Sequence, residues 1–97
     1  MTGVRVRFLA HLRRLSREPE IQIRLSDKVK LKDFLKVLAR NIKGELRREI
    51  FDEKDHIRSN FLVLVNEIEI SALDRFNTEI SNNDIIVILP FIHGGKA

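Results

Sequence analysis

The stretch Asp84-Ile85-Ile86-Val87-Ile88-Leu89-Pro90-Phe91-Ile92-His93-Gly94-Gly95-Lys96-Ala97 decides how the rest of the chain is read. Five apolar residues, Ile85 to Leu89, run unbroken between the turn-forming Asn82-Asn83-Asp84 and Pro90. That is the pattern of a central strand buried on both faces. Proline has no backbone N–H and cannot continue a ladder from an interior position, so the strand is expected to stop at Pro90. Residues 91–97 then form a flexible C-terminal tail that carries Gly94-Gly95 outside a single domain of residues 1–90.

Working outward, 97 residues with 43% hydrophobic and 33% charged side chains specify one globular domain with a small core. At this size folding hides only roughly 60–65% of the unfolded chain's surface, so few apolar side chains remain to line a private substrate cavity. A partner-binding module fits better than a self-sufficient enzyme. The absence of cysteine excludes disulfides, thiolate metal sites and a cysteine nucleophile. No apolar run approaches the ~20 residues of a membrane span, and the N-terminus lacks a signal-peptide core, so a cytoplasmic location is expected. Charge is uneven: residues 1–48 hold fourteen Lys/Arg against five Asp/Glu, and residues 49–97 hold four against nine. The bland expectation is that the two signs interleave on the folded surface.

In chain order, Val4, Val6 and Phe8 alternate with Arg5 and Arg7, the period of a strand with one face in the core. Leu9, Leu12 and Leu15 predict a short helical turn, and Ile21, Ile23 and Leu25 a second strand, so the two runs form a hairpin with a long connection. Leu31, Phe34, Leu35, Leu38 and Ile42 form one apolar helical stripe, with Gly44 as the expected stop. Its start has no good cap, since Lys30 precedes Leu31. A shorter helix is expected over residues 45–53 and a polar loop from Asp52 to Asn60. Phe61 to Val65 reads as a strand, Asn66-Glu67 as a turn, and Ile68 with Ile70 as a short strand. Residues 71–79 read as a tethered loop. The three histidines, His11, His56 and His93, lack metal-ligand spacing, and no metal site is expected. Phe8, Phe34, Phe51, Phe61 and Phe76 are expected to be packing residues. Two opening strands, one main helix and a buried final strand predict an α+β, β-grasp (ubiquitin-like) fold. In it a mixed sheet of four to five strands carries the helix across one face, with the last strand parallel to the first.

The opening V-R-V-R-F-L-A-H-L-R-R-L, the helix L-K-D-F-L-K-V-L, the turn L-V-N-E-I-E-I and the ending N-D-I-I-V-I-L-P-F-I-H-G-G together resemble the ubiquitin-like sulfur carriers, most closely the small subunit of molybdopterin synthase. The resemblance covers nearly all of residues 4–95. It implies that a partner adenylating enzyme uses ATP to activate the carboxylate of Gly95, that a sulfur donor converts it to a thiocarboxylate, and that the tail enters the large subunit of molybdopterin synthase, where the sulfur passes to a pterin precursor in molybdenum or tungsten cofactor synthesis. Gly95 would be the acyl carrier, Gly94 would give reach, and Pro90, Phe91, Ile92 and His93 would form the partner-binding tail. The carrier itself would bind no cofactor. Lys96-Ala97 follows Gly95, which leaves three readings: a precursor that a protease partner trims after Gly95, two added residues foreign to the carrier, or a carrier that has lost the chemistry. A ubiquitin-like modifier, or a carrier for tRNA thiolation, would use the same two glycines. A basic β-grasp module that binds RNA is the reading from another class. The absence of exposed aromatics on the basic strands counts against it, so neither a membrane nor a nucleic acid is expected as a partner.

Overall fold

The alternation at Val4–Phe8 and the apolar run at Ile85–Pro90 become two parallel strands at the middle of one sheet. The structure, a computed structural model, describes residues 3–91. Its elements are β1 (Val4–Phe8), α1 (His11–Leu15), β2 (Glu20–Ile23), β3 (Val29–Lys30), α2 (Leu31–Asn41), α3 (Gly44–Ile50), β4 (Phe61–Val65), β5 (Ile68–Glu69), β6 (Glu79–Ile80) and β7 (Ile85–Pro90). Two 3-10 turns, Ile70–Ala72 and Arg75–Asn77, lie between β5 and β6. The main sheet has the order β2-β1-β7-β4-β5. β1 is parallel to β7, and the other neighbours are antiparallel. This is the α+β, ubiquitin-like architecture expected.

The core lies on one face of that sheet. Val4, Val6 and Phe8 of β1, Ile86 and Ile88 of β7, and Phe34 and Leu38 of α2 are all fully buried in one cluster. The helical stripe therefore packs as its spacing dictates, each large side chain contributing about 1.5–3 kcal/mol by leaving water. On the other face Ile85, Val87 and Leu89 alternate out of the core and stay half-exposed, as do Leu62 and Leu64 of β4. The expectation that β7 is buried on both faces is thus corrected. An unbroken apolar run cannot reveal that only one of its faces is covered.

Other differences have local causes. α2 ends at Asn41 because Ile42 turns extended, and Gly44, at φ +64°, opens α3 instead of stopping α2. The uncapped start of α2 is completed from a distance: Leu31 N–H donates to Thr78 O at 2.8 Å. That contact depends on a second, two-stranded sheet in which Val29 and Lys30 of β3 pair with Ile80 and Glu79 of β6, at the end of the 71–79 stretch expected to be a loop. Ile70 starts a 3-10 turn and does not extend β5. Phe76 is 43% exposed and is not a core residue. The turn at Asn66-Glu67 has φ of 50° and 75°, the two positive angles of the primed hairpin turn. Asn66 accepts the Ile85 N–H at 2.9 Å through Oδ1 and donates to Asp84 Oδ1 at 3.1 Å through Nδ2, which ties this turn to the start of β7.

Two stability predictions follow from these positions. Ile88→Ala should lower the unfolding free energy by about 2–5 kcal/mol in a urea titration, and Val87→Ala by about 1 kcal/mol; equal losses would contradict a one-sided core. Glu67→Gly should raise stability by about 1 kcal/mol, because it removes a side chain from a left-handed position; destabilisation would contradict the turn geometry.

Candidate functional site

The end of β7 is where the body of the domain hands the chain to its last residues. Leu9 N–H donates to Ile88 O at 3.1 Å and Arg5 N–H to Asp84 O at 3.0 Å, so the even residues of β7 turn their backbone groups toward β1. Pro90 shares that side, one step beyond the last β1 pair, Phe8 with Ile88. Its missing N–H therefore faces a position the β1 ladder has already left, and costs no sheet hydrogen bond. On the opposite side Pro90 pairs with Phe61, and Phe91 N–H donates to Asn60 O at 2.7 Å. The ladder reaches one residue past the proline where it was expected to stop. Pro90 is half-buried and Phe91 is 41% exposed. Ile92, His93, Gly94, Gly95, Lys96 and Ala97 lie outside the described residues.

Asn60 belongs to a polar loop that is internally braced. Asp52 Oδ1 accepts the N–H of Lys54 at 2.8 Å and of His56 at 3.0 Å, and Asp52 N–H donates to His56 O at 2.9 Å. Arg58 N–H donates to Ile50 O at 2.8 Å, so the loop is also tied to the end of α3. The backbone hydrogen bond from His56, followed by that from Lys54, holds the Asp52 carboxyl below the usual carboxylate range.

Beside the end of β7, the open face of the sheet forms an apolar strip, which includes the β7 face expected to be buried. Arg7, Val87, Leu64 and Glu69 stand in one row across four strands, with Leu89 and Leu62 paired in the neighbouring rows. Arg7 Nε donates to Glu20 Oε1 at 2.9 Å. Basic residues flank the strip on the β1 side and acidic Glu69 on the β5 side, so the charge asymmetry along the chain survives in part as an asymmetry across the sheet. The signal for this face was available as two adjacent apolar runs, 61–65 and 85–89, served by one main helix. Among the described residues no group of His, Cys, Asp or Glu is arranged to hold a metal ion, and no helix is long and apolar enough to cross a membrane.

A β-grasp body whose central last strand delivers a Gly-Gly segment defines the class of ubiquitin-like sulfur carriers. The chain belongs to one family within it: the model described as Urm1 (Ubiquitin related modifier) matches residues 3–95. Over 70 residues it is 34% identical to the ubiquitin-related modifier 1 homolog 2 of Arabidopsis thaliana, covering 72% of this chain and 70% of that protein. The solution structure of small archaeal modifier protein 1 from Methanosarcina acetivorans superposes with a TM-score of 0.71 at 28% identity, covering 98% of this chain and 99% of that one. A putative molybdopterin converting factor, subunit 1, from Pyrococcus furiosus has a TM-score of 0.68 at 19% identity, covering 93% and 98% respectively, a likeness of fold alone.

The braced loop carries a pH dependence. Because the folded carboxyl of Asp52 has a lowered pKa, its contribution is fully present above the ordinary carboxylate range and is lost as pH falls through the lowered value. In an NMR titration the Lys54 and His56 amides should shift with a midpoint below that of an unperturbed aspartate, and Asp52→Ala should remove that transition; a midpoint at or above the ordinary value would contradict the bracing.

Proposed function

We propose that this chain is a ubiquitin-related modifier and sulfur carrier that acts through the carboxylate of Gly95. The observation that carries the reading is the family match, which continues beyond the described residues and ends at Gly95, taking in both glycines. The carboxylate oxygen of Gly95 attacks the α-phosphorus of ATP on an adenylating enzyme, pyrophosphate leaves, and an acyl-adenylate forms. Hydrosulfide then attacks the acyl carbon and displaces AMP, leaving a thiocarboxylate for transfer to an acceptor such as tRNA; if the donor is a persulfide, a second thiol cleaves the resulting acyl disulfide to release it. If a lysine amine attacks instead, the product is an isopeptide bond. Glycine suits both outcomes, since without Cβ its carbonyl is open to a nucleophile from either side. This chemistry requires a free Gly95 carboxyl, so the peptide bond to Lys96 has to be hydrolysed first by a protease.

In this reading the domain positions the acyl group and the partner enzymes supply the catalysis. The half-exposed strip of Val87, Leu89, Leu62 and Leu64 offers the adenylating enzyme a docking face continuous with Phe91, with Arg7 and Glu69 setting its orientation. The role of small subunit of molybdopterin synthase is supported by likeness of fold, while the family match and the Arabidopsis relative favour modification or tRNA thiolation. We therefore place the modifier reading first.

Incubation of the chain truncated after Gly95 with its own host's adenylating enzyme, ATP and a sulfur source should yield a species with one oxygen replaced by sulfur, read by intact mass. Replacing Gly95 with Ala should reduce the yield at least tenfold without changing the unfolding curve. A truncated chain that stays unmodified would sink the proposal. Thionucleosides in tRNA, or adducts on lysine, would identify the acceptor.

A further inference from the structure

Away from the open sheet face, two hollows meet at Phe76. One, of about 370 Å³, lies between α2 and the 52–57 loop and is lined by Lys32, Lys36, His56 and Ile57. The other, of about 340 Å³, is lined by Arg58, Arg75 and Phe61. Phe76 and Ile57 line both, so the partly exposed ring of Phe76 forms part of the boundary between them. Phe61 is the strand partner of Pro90, which brings the second hollow toward the end of the domain where the chain leaves β7.

The residue that presents the ring is strained. Arg75 has φ +50°, a left-handed angle that an arginine adopts at a cost of about 1–2 kcal/mol. The turn is closed around it by Thr78 N–H donating to Arg75 O at 3.1 Å and Asp74 N–H donating to Thr78 Oγ1 at 3.0 Å. The backbone that carries Phe76 is therefore held by the turn, and the residue stays 43% exposed.

Charge at the rims is positive. Lys32, Lys36 and Arg75 have no ion-pair partner among the described residues, and Arg58 Nε donates to Arg48 O at 3.1 Å. The two carboxylates that line the hollows are already engaged: Asp55 is held by Arg47 and lies 3.8 Å from Arg40, and Glu69 accepts the Ser71 N–H at 3.1 Å together with its hydroxyl. Asp74 and Asp33 are the exposed acids beside Phe76 and Lys32 in sequence.

We infer that this surface binds single-stranded RNA, with a base stacked on Phe76 and neighbouring phosphates on Lys32, Lys36, Arg58 and Arg75. A cationic groove with an exposed ring is the chemistry that holds single strands, because every base has a flat face and every nucleotide a phosphate. A trough divided at a ring suits flat bases better than an amphipathic helix, which needs a continuous row of apolar anchors, and a two-residue β5 gives an extended acidic peptide little strand edge to join. The count against RNA in the sequence reading rested on the basic strands, which indeed carry no exposed aromatic. An exposed aromatic, Phe76, instead sits on a 3-10 turn between basic residues of α2 and of the 52–60 loop. This inference concerns the folded body, so it stands or falls independently of sulfur loading at Gly95.

Phe76→Trp supplies the test, since the chain contains no other tryptophan. Titrating the full-length F76W chain with an oligouridylate should quench its fluorescence. The logarithm of the affinity should fall with the logarithm of salt concentration with a slope of about −1.4 to −2.8, equivalent to two to four phosphates at about −0.7 each. With a labelled oligouridylate and the otherwise unaltered chain, F76A and F76L should each weaken binding by about five- to 150-fold, the range of one lost stacking contact. The double substitution K32A/K36A should flatten the salt slope by about 1.4. The inference is overturned if no binding occurs at low salt, if F76A binds as well as the parent chain, if R13A/R14A/R17A, on α1 and just after it, abolishes binding while F76A does not, or if polyglutamate displaces the RNA at equal charge concentration.

Discussion

The parallel pairing of β1 with β7 is the constraint on which the rest of the structure depends. Two parallel strands cannot be joined by a tight turn, so everything between Phe8 and Ile85 is in effect one long connection that has to return to the same end of the sheet. Once β7 lies between β1 and β4, its even residues Ile86 and Ile88 sit at the centre of the only large cluster of buried residues among those described. The same pairing fixes where the chain leaves the fold. Neighbours on both sides hold β7 as far as Ile88, and β4 alone carries the ladder on to Phe91. The residues proposed to meet partner enzymes thus follow one of the best-anchored strands among those described.

Short, polar and positive-φ segments make that return path possible. The Asn66-Glu67 turn and Asp84 share hydrogen bonds, so the hairpin of β4 and β5 and the start of β7 are set by one polar cluster. Asn82 does the same at the other edge, accepting the Leu25 N–H at 2.9 Å and donating to Leu25 O at 2.8 Å. The small sheet of β3 and β6 then brings Thr78 to the start of α2 and supplies the hydrogen bond that no side chain near Lys30 provides. The Leu31–Thr78 bond joins residues nearly fifty apart in sequence, which is why capping rules applied to a local window found none.

In the proposed function the described domain presents surface and the carboxylate of Gly95 reacts. The body needs no general base or metal in the proposed chemistry, since both are the business of the partner enzymes. What it offers is surface: an apolar strip beside the chain exit and a cationic, aromatic groove flanking α2. The two lie on different faces, so an activating enzyme on the first would leave the second open to an acceptor. That arrangement turns a uniform surplus of Lys and Arg in the first half of the chain into localised recognition, because several of those cations are neutralised by Asp55 and Glu20 while others stand unpaired.

Much of this was legible in the residues. The alternation of Val4, Val6 and Phe8, the stripe from Leu31 to Leu38 and the apolar runs at 61–65 and 85–89 each dictate an element on their own, since a period of 2 or 3.6 leaves one choice of structure for a face that has to be buried. Those elements, with Pro90 and the two glycines after it, were sufficient for the β-grasp fold and for Gly95 as the candidate reacting residue. What tertiary structure alone decided is which surfaces remain uncovered. Two-residue strands such as β3 and β6 carry no periodicity, a carbonyl cap from Thr78 leaves no mark near Leu31, and Val87 and Phe76 look like core residues until the layers are counted. Burial is a property of two surfaces that meet, and a sequence states the hydrophobicity of each side chain without saying whether anything lies opposite it.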